Sequence, residues 1–436
     1  MSGPGTGAGN APEPFDPARL DLADPYPVYR RYRETDPVHA VRGGRDAHGR
    51  AAPTTWYLFG HTEVAHVLAG RGFGRSSPLT ARTAPVPDGY VTLRRVVENW
   101  LVFLDPPRHT RLRARVTPPL GAAAVTALRP RVREIAEELV APLARRSVVE
   151  LVEGFAAPYP LLVIGGLLGV EAERWPWFRA QALALQQAGG TRGDRTPAAL
   201  DGAERAAAEL DGYFHRELAA RRTEDRGDLL SALARAGAED PSLSGSELAA
   251  TCTHLLTAGH ETTTGLIGKA VLALLARPEV GDELRSDPGL LPNAVDEFLR
   301  HDPPVQMVTR WAQRDVELAG RTVRRGDRLQ LVLGSAHRDP GRFPDPDVLD
   351  IHRDSGRHCA FGLGIHYCAG AALARAEAEI GLGVLLDRLP ALAQGARPGV
   401  EVEYAPDWVF HGPSRLTLTL PSLPDTPDTP ETPENP

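Results

Sequence analysis

The chain has 436 residues, of which 42% are hydrophobic and 24% charged, with a formal net charge of −7. That composition belongs to a globular protein and excludes a disordered chain, a disulfide-rich mini-protein and a collagen. The acidic balance argues against nucleic acid as the main partner, since phosphate binding needs an excess of basic charge.

Length alone suggests about three domains. Met1 to Pro14 is rich in Gly, Pro and Ala and lacks the basic and apolar regions of a signal peptide, so residues 1–14 are expected to be disordered. Helical periodicity then predicts helices over Tyr26–Glu34, His61–Ala69, Ala123–Ala144, Trp177–Gln187 and Ala198–Arg222. Further helices are predicted over Ser244–Ala276, Asn293–Arg300 and Ala369–Leu389. Strand patterns fall at Thr55–Phe59, Val148–Val152, Val308–Trp311, Val316–Leu318, Arg328–Leu333 and Leu416–Leu420. The strands do not alternate with the helices, which argues for a mainly α fold with small β-sheets and against a doubly wound parallel sheet. From Pro421 to Pro436 an acid-Thr-Pro unit repeats three times, and this tail is expected to be solvated and disordered. No apolar run reaches the ~18 residues of a membrane span, so a cytoplasmic protein without a membrane anchor is expected.

One helix stands apart. Ser244-Gly245-Ser246-Glu247 reads as a capping box and Pro278 closes the far end. At ~1.5 Å per residue it spans roughly 48 Å. Its middle, Ala258-Gly259-His260-Glu261-Thr262-Thr263-Thr264-Gly265, sets poor helix formers and an acid inside an apolar helix. Such local conflict marks a candidate site. His260-Glu261 is no zinc motif, because Thr264 stands where the second His is needed.

The cysteines are Cys252, Cys359 and Cys368. An odd, sparse set does not form a disulfide framework and points to a reducing compartment. Phe361-Gly362-Leu363-Gly364-Ile365-His366-Tyr367-Cys368-Ala369-Gly370 is the most informative segment. Its two glycines permit a tight turn and close backbone approach. Cys368 begins a helix, where unpaired N–H groups favour a thiolate suited to a soft metal. Taken by itself, a lone cysteine is more often a small buried hydrophobe.

The ten-residue pattern resembles the haem-ligand loop of the cytochrome P450 superfamily, Phe-Gly-x-Gly-x-His-x-Cys-x-Gly, with each fixed position matched. The resemblance extends over residues 15–420 and implies one P450 fold whose long central helix crosses a haem b. Cys368 would be the axial iron ligand, with Phe361, Gly362 and Gly364 shaping its loop. Ala258-Gly259-His260-Glu261-Thr262 resembles the family's oxygen-binding groove. There Ala258 and Gly259 would border the haem, Gly259 would let dioxygen approach the backbone, Thr262 would hydrogen-bond the oxygen and Glu261 would relay protons. Asp105-Pro106-Pro107-Arg108-His109-Thr110-Arg111-Leu112-Arg113 resembles the start of a further family helix. By motif match the haem propionates would meet His109, Arg113, Arg310 and His366, whereas Arg108 and Arg111 read as surface charges. Glu297-Phe298-Leu299-Arg300 resembles the family's buried Glu-x-x-Arg pair, a structural element. Phe343-Pro344-Asp345-Pro346-Asp347 and Arg353 resemble the region that completes it, with Leu349 where an aromatic is usual.

The implied activity is a monooxygenase that uses O2 on a hydrophobic small molecule. A tailoring step on a secondary metabolite such as a polyketide, peptide or terpenoid would fit. Three cysteines cannot hold a four-Cys iron–sulfur cluster, so the resemblance implies electrons from an external ferredoxin and ferredoxin reductase docking on the Cys368 side. By family placement the substrate would meet His254, Thr257, Val305, Met307, Val409 and Phe410. Alternatives are a peroxygenase, an enzyme of oxidative coupling, epoxidation or desaturation, and a catalytically silent relative that binds a partner.

Overall fold

The long helix organises the molecule. In the computed structural model it runs from Gly245 to Ala276, and the Ser244 hydroxyl and Glu247 carboxylate form the reciprocal capping box. Most of its side chains are buried. Described are residues 13–44, 52–80, 86–189, 191–192, 195–356, 358–389, 392 and 399–420; the segments 1–12 and 421–436, expected to be disordered, lie outside these.

Helices Pro158–Leu168, Pro197–Ala220 and Ala371–Arg388 pack around the central one. Close approach uses small residues. A Cβ on Gly259 would stand 3.1 Å from Ile164, and one on Gly268 would stand 2.6 Å from Pro413. The main core runs from Leu93 to Leu418 and draws on nearly every helix. Near the middle of this helix's final turns, Lys269, the chain's single lysine, is buried, donating to Asp302 Oδ1 at 2.7 Å and to the Pro303 carbonyl at 2.9 Å.

The β structure is small, as expected. A five-stranded sheet has the order Val38–Val41, Thr55–Leu58, Arg328–Val332, Met307–Ala312, Phe73–Gly74. Thr55–Leu58 and Arg328–Val332 run parallel, and the other pairs run antiparallel. Pro413–Thr419 pairs with both Val148–Glu150 and Gly399–Tyr404. A hairpin joins Val316–Leu318 to Arg321–Val323 through Ala319 and Gly320, both at positive φ, the geometry that matches strand twist in a two-residue turn.

The structure departs from the sequence expectation at definite places. The strand expected over Val148–Val152 stops at Glu150, whose carboxylate accepts the amides of Val152 and Glu153 and turns the chain into a π-helical turn, Val152–Ala156. Helix Pro158–Leu168 was not anticipated, because it is apolar on all sides and has no amphipathic period. Its Pro158 and Pro160 occupy the first turn, where a missing N–H costs nothing. Helices Val91–Glu98, Leu229–Glu239 and Pro278–Ser286 also went unpredicted.

Candidate active site

The segment Cys359 to Gly370 closes on itself. The Gly362 amide donates to the Cys359 carbonyl at 2.9 Å, and the Cys368 amide donates to the Phe361 carbonyl at 2.8 Å. Gly362 and Gly364 have φ of 70° and 69°, a region that L side chains avoid. A Cβ on Gly364 would lie 3.1 Å from the Leu68 carbonyl, so this glycine's close backbone approach is to the end of helix His61–Ala69. Phe361 is held by the Arg375 guanidinium, 4.5 Å from its ring centre, and Arg375 is anchored to Asp296 at 2.8 Å. His358 reaches the same Asp296 at 3.2 Å.

Cys368 keeps accessible surface although protein surrounds it. The helix dipole does not win at this sulfur. Its helix starts later, at Ala371, and burial raises the thiol against the lowering effects of the Gly370 amide, Arg113 and Arg375. The other cysteines are core residues. Cys252 is raised by burial, and Cys359, raised to about 12, has its sulfur 3.3 Å from His337 Nε2.

Near the cysteine lie two imidazoles and three arginines. His109 and His366 have ring centres 4.2 Å apart. Both ring nitrogens of His109 and Nε2 of His366 are buried without a hydrogen-bond partner. Burial first, then His109, Arg310, Arg75 and Arg113, push His366 down to about 2. Burial also lowers Arg310 to about 10 and Arg75 to about 9. Asp105 is the nearest acid, but its oxygens accept the amides of Arg75 and Ser76 and the Ser76 hydroxyl. Among the described residues none of Arg75, Arg113 and Arg310 forms a salt bridge. Positive charge without an anion, beside an accessible thiol, fits a ligand that carries carboxylates and a soft metal. The structure thus brings together His109, Arg113, Arg310, His366 and Cys368 and adds Arg75, which sequence reasoning missed. Arg108, read as a surface charge, is exposed and also bonds the largely buried Glu247 of the capping box at 2.8 Å.

Behind the loop, Glu297 and Arg300 form a fully buried bidentate pair with both contacts at 2.7 Å. Arg300 also donates to the carbonyls of His337, Pro346 and Val348. Glu297 accepts the Asp350 amide, the Ser355 hydroxyl and Arg353 Nε. Leu349, in place of an aromatic, is buried in the core.

On the central helix Ala258 is exposed, and Glu261 and Thr262 keep partial exposure, although the helix lies in the interior. A side chain on Gly259 would meet Ile164, so helix packing favours glycine there. The Thr262 hydroxyl donates to the Ala258 carbonyl at 3.0 Å. Burial, then Asp407, push Glu261 up to about 8, with Arg192 opposing. Glu261 therefore carries its proton at neutral pH. A second acid, Glu377, is buried with Oε1 unpartnered and is raised well above the carboxylate range by burial. An acid within the buried face of a helix was the available signal for it.

The expected substrate residues divide. Val305 and Phe410 are brought together by an antiparallel bridge, and the Val409 carbonyl accepts the Gln306 amide at 2.8 Å. Thr257 bonds back to the Thr253 and His254 carbonyls. Met307 is a correction: it is 1% exposed and packs in a core with Phe15, Tyr29 and Phe59. His254 stacks on Trp100.

Comparison with known proteins bears on the fold and the family. The cytochrome P450 family model matches residues 203–398. The monooxygenase PikC of Streptomyces venezuelae is 40% identical over 386 residues, covering 88% of each chain. The 6-deoxyerythronolide B hydroxylase of Saccharopolyspora erythraea is 35% identical over 385 residues, 85% of this chain and 90% of that one. The epothilone B-bound cytochrome P450epoK structure superposes with a TM-score of 0.82 at 29% identity, covering 94% of this chain and 100% of that one.

Proposed function

Because this chain belongs to the cytochrome P450 family, we propose that Cys368 ligates a haem iron while His109, His366, Arg75, Arg113 and Arg310 hold its propionates. The protein is a haem-thiolate monooxygenase. When bound, the haem supplies dioxygen activation and transfer of one oxygen atom, with the thiolate donating electron density that favours O–O cleavage. The observation that carries the residue assignment is the accessible Cys368 beside buried guanidiniums that form no salt bridge among the described residues.

The chain's own residues supply protons and position. Glu261, protonated at neutral pH, is the donor, with its acidity matched to neutral conditions. The Thr262 hydroxyl donates a hydrogen bond to the Ala258 carbonyl, which leaves its oxygen free to accept one. This acid and hydroxyl favour dioxygen over peroxide chemistry. The mostly apolar central-helix face suits a hydrophobic substrate. The relatives named 6-deoxyerythronolide B hydroxylase and mycinamicin IV hydroxylase/epoxidase support a tailoring step, hydroxylation or epoxidation, on a secondary metabolite. Electrons come from a separate redox partner, a ferredoxin with its reductase in our reading, approaching the Cys368 side in a cytoplasmic setting. No helix among the described residues is long and apolar enough to cross a membrane.

Reduction under carbon monoxide tests the assignment. The reading expects the red-shifted Soret band of a thiolate-ligated haem, lost in Cys368→Ser and kept in Cys359→Ser. A normal spectrum in Cys368→Ser would reject it.

A further inference from the structure

His254 and Trp100 form a second polar feature that the oxygen chemistry does not use. Their rings stack at 5.3 Å with planes 24° apart, and Trp100 stacks in turn on Phe103 at 6.2 Å and 6°. The Arg75 guanidinium lies 5.4 Å from the Phe103 ring centre. The stack thus runs from the central helix to the cation cluster. On that helix His254 lies one and two turns before Ala258 and Thr262, so the three share a face. His254 keeps accessible surface in the interior, as does the exposed Ala258.

Two nitrogens of this stack, His254 Nδ1 and Trp100 Nε1, are buried and have no hydrogen-bond partner among the described residues. Buried polar groups are ordinarily paired, and leaving one unpaired is costly. The chemistry of the pair restricts what can satisfy it. An indole N–H only donates, and a neutral imidazole offers one donor and one acceptor. Burial, then Arg75, push His254 down to about 4, so it is neutral in ordinary buffers. A cationic group placed here would meet Arg75. A hydrocarbon would leave both nitrogens unpaired.

We propose that His254 and Trp100 are the polar anchor of the substrate pocket and select an uncharged oxygen acceptor, such as a ketone, lactone or hydroxyl, on an otherwise apolar substrate. This rests on the haem reading above and adds to it the chemical class of the substrate. The two residues are specificity determinants that orient the molecule by an end other than the oxidised carbon.

The test uses haem-loaded enzyme and N-alkylimidazoles whose imidazole ligates the iron and shifts the Soret band. Tails of graded length end in a methyl ketone, in the matching hydrocarbon or in a carboxylate. At the best-fitting length the ketone should bind about tenfold tighter than the hydrocarbon, the worth of one good hydrogen bond. His254→Phe and Trp100→Phe should each erase that preference while the hydrocarbon-tailed azole still shifts the band, which reports an intact site. His254→Asn should restore part of it. The proposal is overturned if no length shows a ketone preference, if the preference survives both Phe variants, or if the carboxylate tail binds best, which would make Arg75 the anchor. Absence of any azole shift in the wild type would be a different failure, that of the haem reading beneath.

Discussion

Arg300 and Arg310 are equally hidden, at 0% and 5% exposure, yet their surroundings are opposite. Arg300 meets a carboxylate and three carbonyls, and Glu297 is matched in turn by an amide, a hydroxyl and a second guanidinium. Arg310 donates to the Thr309 carbonyl and shares the distant field of Asp105, and its neighbours His109 and His366 have ring nitrogens with nothing to bond. A buried charge that the protein itself satisfies is scaffold. One that it leaves unsatisfied marks the place of a ligand, because the cost of burial is otherwise uncompensated. Removing charge from the two regions should therefore give opposite results.

Cys368→Ser has the largest expected effect on the ligand side. It should abolish the thiolate spectrum altogether while urea denaturation of the haem-free protein stays within experimental error of the wild type. A large loss of haem-free stability would erase the distinction drawn between the regions. Next, Glu297→Ala should destabilise the fold by about 3–5 kcal/mol, since Arg300 and Arg353 would be left without their carboxylate. Chemical denaturation measures this. Burial pulls the Glu297 carboxyl upward, but Arg300 and Ser355 outweigh it, and the net shift is below the ordinary 4.5. Its stabilisation is thus present above that value and is lost as pH falls through the lower folded pKa. The Ala variant should lack this acid-side decline.

Arg310→Leu should show the opposite sign in the haem-free protein, leaving stability unchanged or raised, because an uncompensated buried cation is removed. Haem retention should fall about tenfold, from one lost charge-assisted contact, as measured by transfer to apomyoglobin. A loss of haem-free stability as large as that of Glu297→Ala would break the comparison. The smallest effects concern the proton path. Coupling of O2 consumption to product should fall as pH rises through about 8, where Glu261 loses its proton. Glu261→Gln should be poorly coupled at every pH, and Thr262→Ala should lower coupling several-fold without moving the profile. An unchanged pH profile in Glu261→Gln would remove Glu261 from the path.

The cysteine loop was legible because its chemistry is local: ten consecutive residues hold the turn, the imidazole and the thiol. The Glu297–Arg300 pair was legible for the same reason, on one helical face. Helix His61–Ala69 matched to the residue, since its apolar period and flanking glycines are sharp. Arg75 was not legible. It is one of many arginines, and only tertiary packing against Val102, Phe103 and Thr309 buries it. The exposure of Arg108 was legible, but its partner Glu247 was not, because that residue is remote in the chain. Met307 alternates into a core built by the N-terminal helix, a face that a strand pattern alone cannot choose.

The burial of Lys269 reaches beyond the fold. The only lysine of the chain is held inside by Asp302 and Pro303. The folded surface therefore offers no side-chain amine to carbodiimide or succinimidyl ester reagents. Zero-length coupling to an electron donor cannot run through a lysine of this chain, so any side-chain adduct must join one of its carboxylates to a lysine of the donor. Arginine-directed dicarbonyls are the reagents that can map the contact.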